Sequence, residues 1–348
     1  MGRNNCPDDA PEDRRSGLVW RPPLDARTHS RAGTASTPPA AVYRNTGTAR
    51  SPSEDHRPGS IESLGRPGGY AKVWRAAPQT RRPRVSVVIP AMNEAKNLEH
   101  VLPALPDGLH EVVLVDGHSV DGTPELALRL RPDLKVVKQT RSGKGNALAC
   151  GFAACSGDII VMLDADGSAD PAEIPRFVDT LVAGADFAKG SRSLKGGGSA
   201  DITRVRSLGN RFLIFLVNRL CGSHYTDLCY GYNAFWADSC RPVFDLDWQS
   251  PPAEGGDGRL WGDGFEIETL INIRVAEAGL TVVEVPSYEL SRLHGASNLN
   301  APRDGLRVLR TIVSEARRAR WLRRTDRDLA DTRCASAHSG YTRSRAAG

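Results

Sequence analysis

Short apolar runs and amphipathic segments alternate along the chain from Val85 onward. Val85–Ile89 is a run of mostly β-branched residues that ends at Pro90, a pattern typical of a buried strand. Similar runs predict strands at 111–115, 136–137, 158–163 and 186–189, and the segments between them predict helices at 94–102, 124–131, 143–155 and 171–182. Because strands and helices alternate with short connections, we expect an α/β fold with a mostly parallel, Rossmann-like sheet and helices on both faces.

The second half of the chain has a different pattern. Residues 203–220 predict a helix with an apolar stripe that includes Leu208, Phe212 and Phe215, and residues 226–236 are aromatic and rich in turn formers. The pattern then predicts an amphipathic helix at 265–278, a strand at 281–285, a polar loop at 292–298 and a terminal helix at 302–320.

Both ends of the chain differ from the middle in composition. Residues 1–82 are rich in Pro, Gly, Ser, Thr and Arg and have no sustained apolar period, so they cannot bury enough surface to offset chain entropy. We therefore expect a disordered N-terminal segment at 1–82, one folded domain at 83–320 and a basic, disordered tail at 321–348.

The charge is distributed in the same three parts. Residues 1–82 and 317–348 each carry a net charge of +6, whereas 83–316 carries −7. An acidic folded part argues against a nucleic-acid-binding protein and favours carboxylates gathered around a metal. The seven cysteines include no CxxC pair, and no apolar run suits a signal peptide or a membrane span. These features favour a cytoplasmic protein with reduced thiols.

Three predicted strands are followed by polar residues at the ends where an α/β sheet binds its ligands. Pro90–Glu94 follows the first strand, Asp116 the second, and Asp164-Ala-Asp166 the apolar run Ile159–Leu163. Two carboxylates two residues apart can face one hard cation, and Mg²⁺ or Mn²⁺ prefers carboxylates together with phosphate oxygens. The sequence therefore predicts a divalent-metal and phosphate site at this edge.

An ordered set of motifs resembles the inverting glycosyltransferases of family 2. The motifs are Ser86-Val-Val-Ile-Pro-Ala-Met-Asn-Glu94, Val113–Thr123, Gly157–Asp166 with its Asp-x-Asp motif, Lys189-Gly-Ser-Arg192, Asp227–Tyr232, Val285-Pro286 and Arg292–Asn298. Their order is most similar to the branch of dolichyl-phosphate or polyprenyl-phosphate mannosyltransferases. The resemblance implies a GT-A fold for the domain at 83–320, which would then be the catalytic domain.

The resemblance also implies roles for individual residues. It implies a donor site for a GDP- or UDP-linked sugar that comprises Pro90, Glu94, Asp116, Lys144, Asp164, Arg292 and Asn298. It implies metal contacts at Asp164, Asp166 and Ser168, and acceptor-phosphate contacts at Arg192 and Arg206. Asn298 stands where the family often has a Lys. We expect Lys144 to supply the missing charge, because Ser142–Gly145 at a helix start suits an anion.

Displacing a nucleoside diphosphate from a sugar requires stabilisation of the departing negative charge. A divalent ion and the Arg292 guanidinium would supply it, and Asp164, Asp166, Glu268 and Arg292 are therefore the candidate catalytic residues. A polyprenyl phosphate can attack without a general base, whereas a hydroxyl acceptor needs one. Glu268 is the leading candidate for such a base, beside Asp263, Glu266 and Asp227.

The acceptor therefore stays open between classes. The leading interpretation is a metal-dependent inverting transferase that uses a polyprenyl phosphate. The alternatives are transfer to a soluble hydroxyl acceptor, such as a phosphoglycerate-like acid or a natural-product scaffold, or a nucleotide-sugar-binding protein without turnover. The helix at 203–220 bears on this choice, because an amphipathic helix carrying Arg204, Arg206 and Arg211 can lie peripherally on a membrane or simply pack on the core.

Overall fold

A computed structural model of the chain describes residues 41–43, 82–200, 202–254, 258–295 and 301–345. Within these ranges side chains are described except at 41–43, 204–205, 301–302 and 326–345. Asn298 and most of the segment at 1–82 lie outside the described residues. The predicted domain boundaries therefore remain predictions.

The described residues form ten strands and eight α-helices. The strands are β1 Ala41–Tyr43, β2 Val85–Ala91, β3 Glu111–Asp116, β4 Lys135–Lys138, β5 Ile159–Met162, β6 Phe187–Ser191, β7 Gly198–Ser199, β8 Asn233–Trp236, β9 Val282–Pro286 and β10 Tyr288–Glu289. The helices are α1 Ala95–Val101, α2 Thr123–Leu130, α3 Lys144–Ala154, α4 Ile174–Val182, α5 Arg204–Cys221, α6 Ala237–Phe244, α7 Ile267–Glu277 and α8 Ala301–Arg345. A 3₁₀ turn at Pro171–Glu173 leads into α4.

Eight of the strands form one sheet in the order β1-β9-β6-β8-β5-β2-β3-β4. β8 runs antiparallel to both of its neighbours and β1 runs antiparallel to β9, whereas the other pairs are parallel. The prediction of a mostly parallel α/β sheet is confirmed. β8 lies within the turn-rich stretch 226–236, and its four residues are too short a run to predict a strand.

The pairing register brings five strand ends to one edge of the sheet. Ala91 of β2 pairs with Asp116 of β3, and Val88 of β2 pairs with Met162 of β5. β6 and β9 end at the same edge, because β8 runs antiparallel between β5 and β6 and therefore begins there. The residues that follow these strands are consequently close to one another.

Two apolar clusters cover the two faces of the sheet. Val88 belongs to the cluster that packs under α3, α5, α6, α7 and α8. Its neighbours Val87 and Ile89 belong to the cluster under α1, α2 and α4. This alternation is the period of two expected of a strand that is buried on both sides. Helices therefore cover both faces, as the sequence predicts.

α7 differs from the prediction of an amphipathic helix. Every residue from Ile267 to Ala276 is buried, because the helices α3, α5, α6 and α8 all pack against α7. Its polar side chains are paired inside the protein: Glu268 with Lys144, Asn272 with the Leu228 carbonyl, and Arg274 with Glu315.

The last helix extends beyond the predicted end at residue 320. α8 continues to Arg345, through a stretch that contains six Arg and three Ala, which are strong helix formers. No helix in the described part of the chain is long and apolar enough to cross a bilayer.

Candidate active site

Glu94 and Arg292 form an ion pair between the end of β2 and the loop after β10. Glu94 is the N-cap residue of α1. Its carboxylate accepts hydrogen bonds from the side-chain amide of Asn97 and from Arg292 Nη1, the latter at 2.9 Å. The other terminal nitrogen of Arg292 lies 3.1 Å from Asp166 Oδ2. Arg292 therefore bridges a predicted donor-site carboxylate, Glu94, and a predicted metal-site carboxylate, Asp166, although it is 198 residues from Glu94 in sequence.

The Asp-x-Asp motif follows β5 directly. Asp166 is oriented from its own loop, since its Oδ1 accepts a hydrogen bond from the Ser168 amide at 2.9 Å. Ser168 also accepts from the Leu290 amide through its carbonyl, which ties this loop to the segment leading to Arg292. Both Asp side chains stay partly exposed, at 32% for Asp164 and 17% for Asp166, so a ligand can reach them.

Lys144 holds Asp164 and Glu268 together. Its ammonium lies 2.8 Å from Asp164 Oδ1 and 2.7 Å from Glu268 Oε1. Burial alone would lower the pKa of Lys144, but the charges of the two carboxylates outweigh burial and raise its pKa, so it stays protonated. Gly231 makes room for this arrangement, because a Cβ there would lie 3.0 Å from the Lys144 ammonium and 3.1 Å from Glu268.

The start of α3 is not the open anion cradle that the sequence suggested. The Gly145 amide donates to the Asp263 carbonyl at 2.8 Å, and a Cβ on Gly145 would overlap the carbonyl oxygen of Gly262. The backbone groups expected to bind an anion are thus turned to the protein itself. The charge of Lys144, rather than the helix start, is what this segment presents to the site.

Two of the candidate bases are engaged in structural contacts. The Asp263 carboxylate is buried and forms a two-bond ion pair with Arg141, at 2.7 and 3.0 Å. Asp227 is likewise buried and accepts from Arg192 Nε and Nη2, at 2.6 and 2.9 Å. Burial alone would raise the pKa of Asp227, but hydrogen bonding and charge from Arg192 outweigh it and lower that pKa. Neither carboxylate is free to take a proton from an acceptor.

Glu266 and Glu268 lie on the same turn but differ in their surroundings. Glu266 is buried and accepts a hydrogen bond from the Gly264 amide at 3.2 Å. Glu268 is bound to Lys144 and joins the carboxylates at the sheet edge. Of the four candidate bases, Glu268 is therefore the one placed beside the Asp-x-Asp motif.

Arg192 follows β6 at the same edge and lies in a second polar cluster. Its third nitrogen donates to Glu289 at 3.0 Å, and its guanidinium lies 4.9 Å from the ring centre of Tyr230. Arg206, on α5, is one turn before Asn210, whose amide donates to Asp227 at 3.1 Å. Arg206 and Asn210 share a helix face, so the two predicted acceptor arginines lie on the same side of the site.

Asp116 and Pro90 complete the edge. Asp116 is the buried last residue of β3, and its carboxylate accepts a hydrogen bond from the Ser119 amide at 3.1 Å. Pro90 lies beside Val115 in the register of β2 and β3. Both positions are those expected of a pocket for a nucleoside at the carboxyl ends of the strands.

The cluster of charged side chains around the Asp-x-Asp motif has more negative than positive charge. Glu94, Asp164, Asp166 and Glu268 carry four negative charges, and Lys144 and Arg292 carry two positive charges. Such a surplus suits a divalent cation. No group of three or more His, Cys, Asp or Glu residues that could hold a metal ion occurs among the described side chains.

Comparison with known proteins points to one family. A family model described as glycosyl transferase family 2 matches residues 86–244. The chain is 31% identical over 247 residues to the undecaprenyl-phosphate mannosyltransferase of Micrococcus luteus, covering 68% of this chain and 96% of that protein. It is 32% identical over 223 residues to the dolichol-phosphate mannosyltransferase of Pyrococcus furiosus, covering 62% of this chain and 59% of that one.

A solved structure shares the fold. Glucosyl-3-phosphoglycerate synthase from Mycobacterium tuberculosis, crystallised with Mn²⁺, UDP-glucose and phosphoglyceric acid, matches with a TM-score of 0.52 and 25% identity. The match covers 67% of this chain and 80% of that one. The GT-A fold expected from the motifs is confirmed. Together with the motifs at the sheet edge, these similarities show that the chain is a glycosyltransferase and belongs to glycosyltransferase family 2.

Proposed function

We propose that this enzyme is a metal-dependent inverting transferase that moves a sugar from a nucleotide-sugar donor to a polyprenyl phosphate. The observation that carries the proposal is the convergence of Asp116, Asp164, Asp166 and the Glu94–Arg292 pair on one sheet edge. The relatives named as transferases of undecaprenyl and dolichol phosphate support the acceptor class.

The residues at the edge fit a divalent cation, Mg²⁺ or Mn²⁺. Asp164 and Asp166 are partly exposed hard oxygen ligands within a cluster that has surplus negative charge. When bound with the donor, such an ion would neutralise charge on the departing diphosphate. The related structure that holds Mn²⁺ and UDP-glucose supports this assignment.

Arg292 would stabilise the leaving diphosphate of the donor, and Lys144 would position the neighbouring carboxylates. Arg292 is held by Glu94 and Asp166 so that its guanidinium is fixed beside the position of the diphosphate before the donor arrives. A fixed cation stabilises the leaving group without reorganising during the reaction. Lys144 holds Asp164 and Glu268 in place. An anionic acceptor phosphate then attacks the sugar from the opposite face without a general base, and the configuration inverts.

The exposed side of α5 supports a lipid acceptor. Leu213 and Val217 face the core, whereas Leu208, Phe212 and Phe215 on the opposite side are 70%, 55% and 62% exposed. Exposed Arg211 and Arg219 lie on that same outer side. Aromatic and apolar residues flanked by arginines are typical of a helix that lies in the surface of an anionic membrane.

α8 packs against α5, and its exposed face likewise combines arginines with apolar side chains. Arg310, Arg317 and Arg320 are exposed, as are Leu306 and Trp321, whereas the described carboxylates Asp304 and Glu315 are buried. We therefore place the enzyme on the membrane as a peripheral protein. The five cysteines within the described residues are free thiols, which is in keeping with a cytoplasmic location.

Membrane docking is tested with Phe212→Ser/Phe215→Ser in flotation with phosphatidylglycerol-containing vesicles. We expect the wild type to float with the vesicles and the double variant to stay behind. The matched control is Leu128→Ser/Leu130→Ser, which removes two exposed apolar side chains from α2 on the other face of the sheet. Equal flotation of all three proteins would contradict the membrane assignment.

The acceptor is tested by incubating the enzyme with labelled UDP- and GDP-sugars, Mn²⁺ and undecaprenyl phosphate in vesicles. We expect labelled lipid in the organic phase, and none with Asp166→Asn. Label only in a soluble product with 3-phosphoglycerate would reject the lipid acceptor. Donor binding without transfer to any acceptor would indicate a binding protein.

A hydroxyl acceptor is the second candidate, because the similar structure was crystallised with phosphoglyceric acid and Glu268 lies at the edge where a base would act. Glu268→Gln separates the two reactions. A reaction that depends on this base would lose about 10² to 10⁴ in kcat. We expect a loss of about tenfold or less with undecaprenyl phosphate, since only the contact of Glu268 with Lys144 changes.

A further inference from the structure

Three polar side chains lie in one fully buried row across β8, β6 and β9. Lys189 of β6 pairs in register with Asn233 of β8 and with Glu284 of β9, and all three side chains are completely buried. The row two residues away consists of Phe187, Phe235 and Val282, which is ordinary apolar core. Burying two opposite charges in such surroundings costs several kcal/mol of desolvation, so the row needs a physical reason.

The contacts of this row give that reason. The Glu284 carboxylate accepts hydrogen bonds from the Thr226 amide at 2.9 Å and the Thr226 hydroxyl at 2.7 Å. Lys189 donates to the Tyr230 carbonyl at 3.3 Å. Glu284 therefore holds one end of the segment Thr226–Tyr230, and Lys189 holds the other.

The segment that these charges hold is the one that orients Arg192. Asp227 follows Thr226 directly and receives two hydrogen bonds from the Arg192 side chain and one from its amide. Asn210 of α5 donates to the same carboxylate. A shift of Thr226 would therefore move Asp227, and with it the Arg192 guanidinium.

An apolar row would not serve the same purpose. Without Glu284, the Thr226 amide would lose its acceptor, and without Lys189 the Tyr230 carbonyl would lose a donor. Burial raises the pKa of Glu284 and lowers that of Lys189, which reflects the cost of keeping both groups here. Glu284 and Lys189 offset this cost by holding the backbone of the segment Thr226–Tyr230 in one position.

We propose that Glu284, with Lys189 as its counter-charge, is a positioning residue for the acceptor site. Through the backbone of Thr226 and Asp227 it fixes Arg192 for contact with the acceptor phosphate. This rests on the proposed function, since the role of Arg192 does.

The test compares Glu284→Gln with Glu315→Gln. Glu315 is a similarly buried carboxylate paired with Arg274, but it lies on α8 away from the segment. We expect both variants to lose stability, and only Glu284→Gln to raise KM for the acceptor, by about tenfold for one weakened charge-assisted hydrogen bond. KM for the donor stays unchanged. Thr226→Val keeps the amide bond to Glu284 but removes the hydroxyl contacts with Glu284 and Ser191, and it shifts the acceptor KM in the same direction.

A double-variant cycle with Arg192→Lys shows whether Glu284 acts through Arg192. If it does, Glu284→Gln adds little to the acceptor KM once Arg192 is replaced. Fully additive effects, or equal acceptor KM changes in Glu284→Gln and Glu315→Gln, would overturn the proposal.

Hydrogen exchange provides a readout that does not depend on turnover. We expect Glu284→Gln to accelerate exchange in peptides covering 223–231, and Glu315→Gln to leave them unchanged. Unchanged exchange in both variants would overturn the proposal. If the wild type uses phosphoglyceric acid instead of a lipid, the proposed function fails on its own, and the same KM comparison is made with that acceptor, which also carries a phosphate.

Discussion

The ammonium of Lys144 lies 2.7 Å from the carboxylate of Glu268, so the first residue of α3 and the second residue of α7 share one ion pair. Asp164, just after β5, holds the same ammonium. Three elements from distant parts of the chain are therefore joined at a single nitrogen atom. The space around this atom is set by Gly231.

Gly231→Ala is expected to reduce sugar transfer strongly, because the added methyl group would press on the Lys144 ammonium and on Glu268. Overpacking of this kind costs about 1–3 kcal/mol. The matched control is Gly305→Ala in α8, where a Cβ meets nothing within 4 Å and the helix should gain about 0.5–1 kcal/mol. Thermal unfolding and initial rates check both variants. Full activity of Gly231→Ala would show that the Lys144 contacts do not matter.

Metal binding is expected to depend on the nucleotide. Asp164 and Asp166 are each already paired with a cationic side chain, Lys144 and Arg292, with which a metal ion would compete. Mn²⁺ alone should therefore bind weakly, and much more tightly when UDP or GDP supplies phosphate oxygens. Titration calorimetry with and without nucleotide measures this. Equally tight binding of Mn²⁺ to the free enzyme would contradict the assignment.

Arg292→Lys is expected to weaken donor use. A lysine cannot reach Glu94 and Asp166 together in the fork geometry of the guanidinium, so the cation beside the diphosphate would lose its fixed position. We expect kcat/KM for the donor to fall by about tenfold to a hundredfold. Arg176→Lys, at a half-exposed arginine paired with Glu173, is the control and should leave the rate unchanged.

The Arg192–Asp227 pair predicts a loss of stability in acid. Because the pKa of Asp227 is lowered in the folded protein, its contribution is complete above the unfolded pKa near 3.8 and is lost as pH falls below that value. Asp227→Asn should remove this part of the pH dependence, whereas the exposed control Asp133→Asn should retain it. Urea unfolding between pH 6 and pH 3 makes the comparison. Identical slopes for all three proteins would contradict the ion pair.

The sequence predicts the sheet and its functional edge because these depend on local patterns. The apolar run before Asp164 and the alternation of strands and helices are visible residue by residue. The partners of the polar groups are not visible, since they come from distant segments. Asp263 looks like a candidate base until Arg141, 122 residues away, is found on it. The helix start before Lys144 looks like an anion site until Asp263 is found against it.

β8 and α7 show a second limit of prediction from the sequence. β8 is a four-residue strand inserted antiparallel between two parallel strands, and only the tertiary pairing with β5 and β6 defines it. α7 carries Glu268, Asn272 and Arg274, which makes it look half-exposed in sequence. Residues 267–276 are nevertheless buried, and each of these three side chains meets a partner from another element.

The close approach of Gly145 to the Gly262 carbonyl has a consequence for redesign. No side chain fits between the two backbones, and the Gly145 amide donates to the Asp263 carbonyl, so we expect the start of α3 and the turn before α7 to move together. Grafts intended to change sugar or acceptor choice should therefore exchange both segments at once, from the same parent. Insertions at the exposed Pro251 and Pro252, outside that junction, should leave turnover intact.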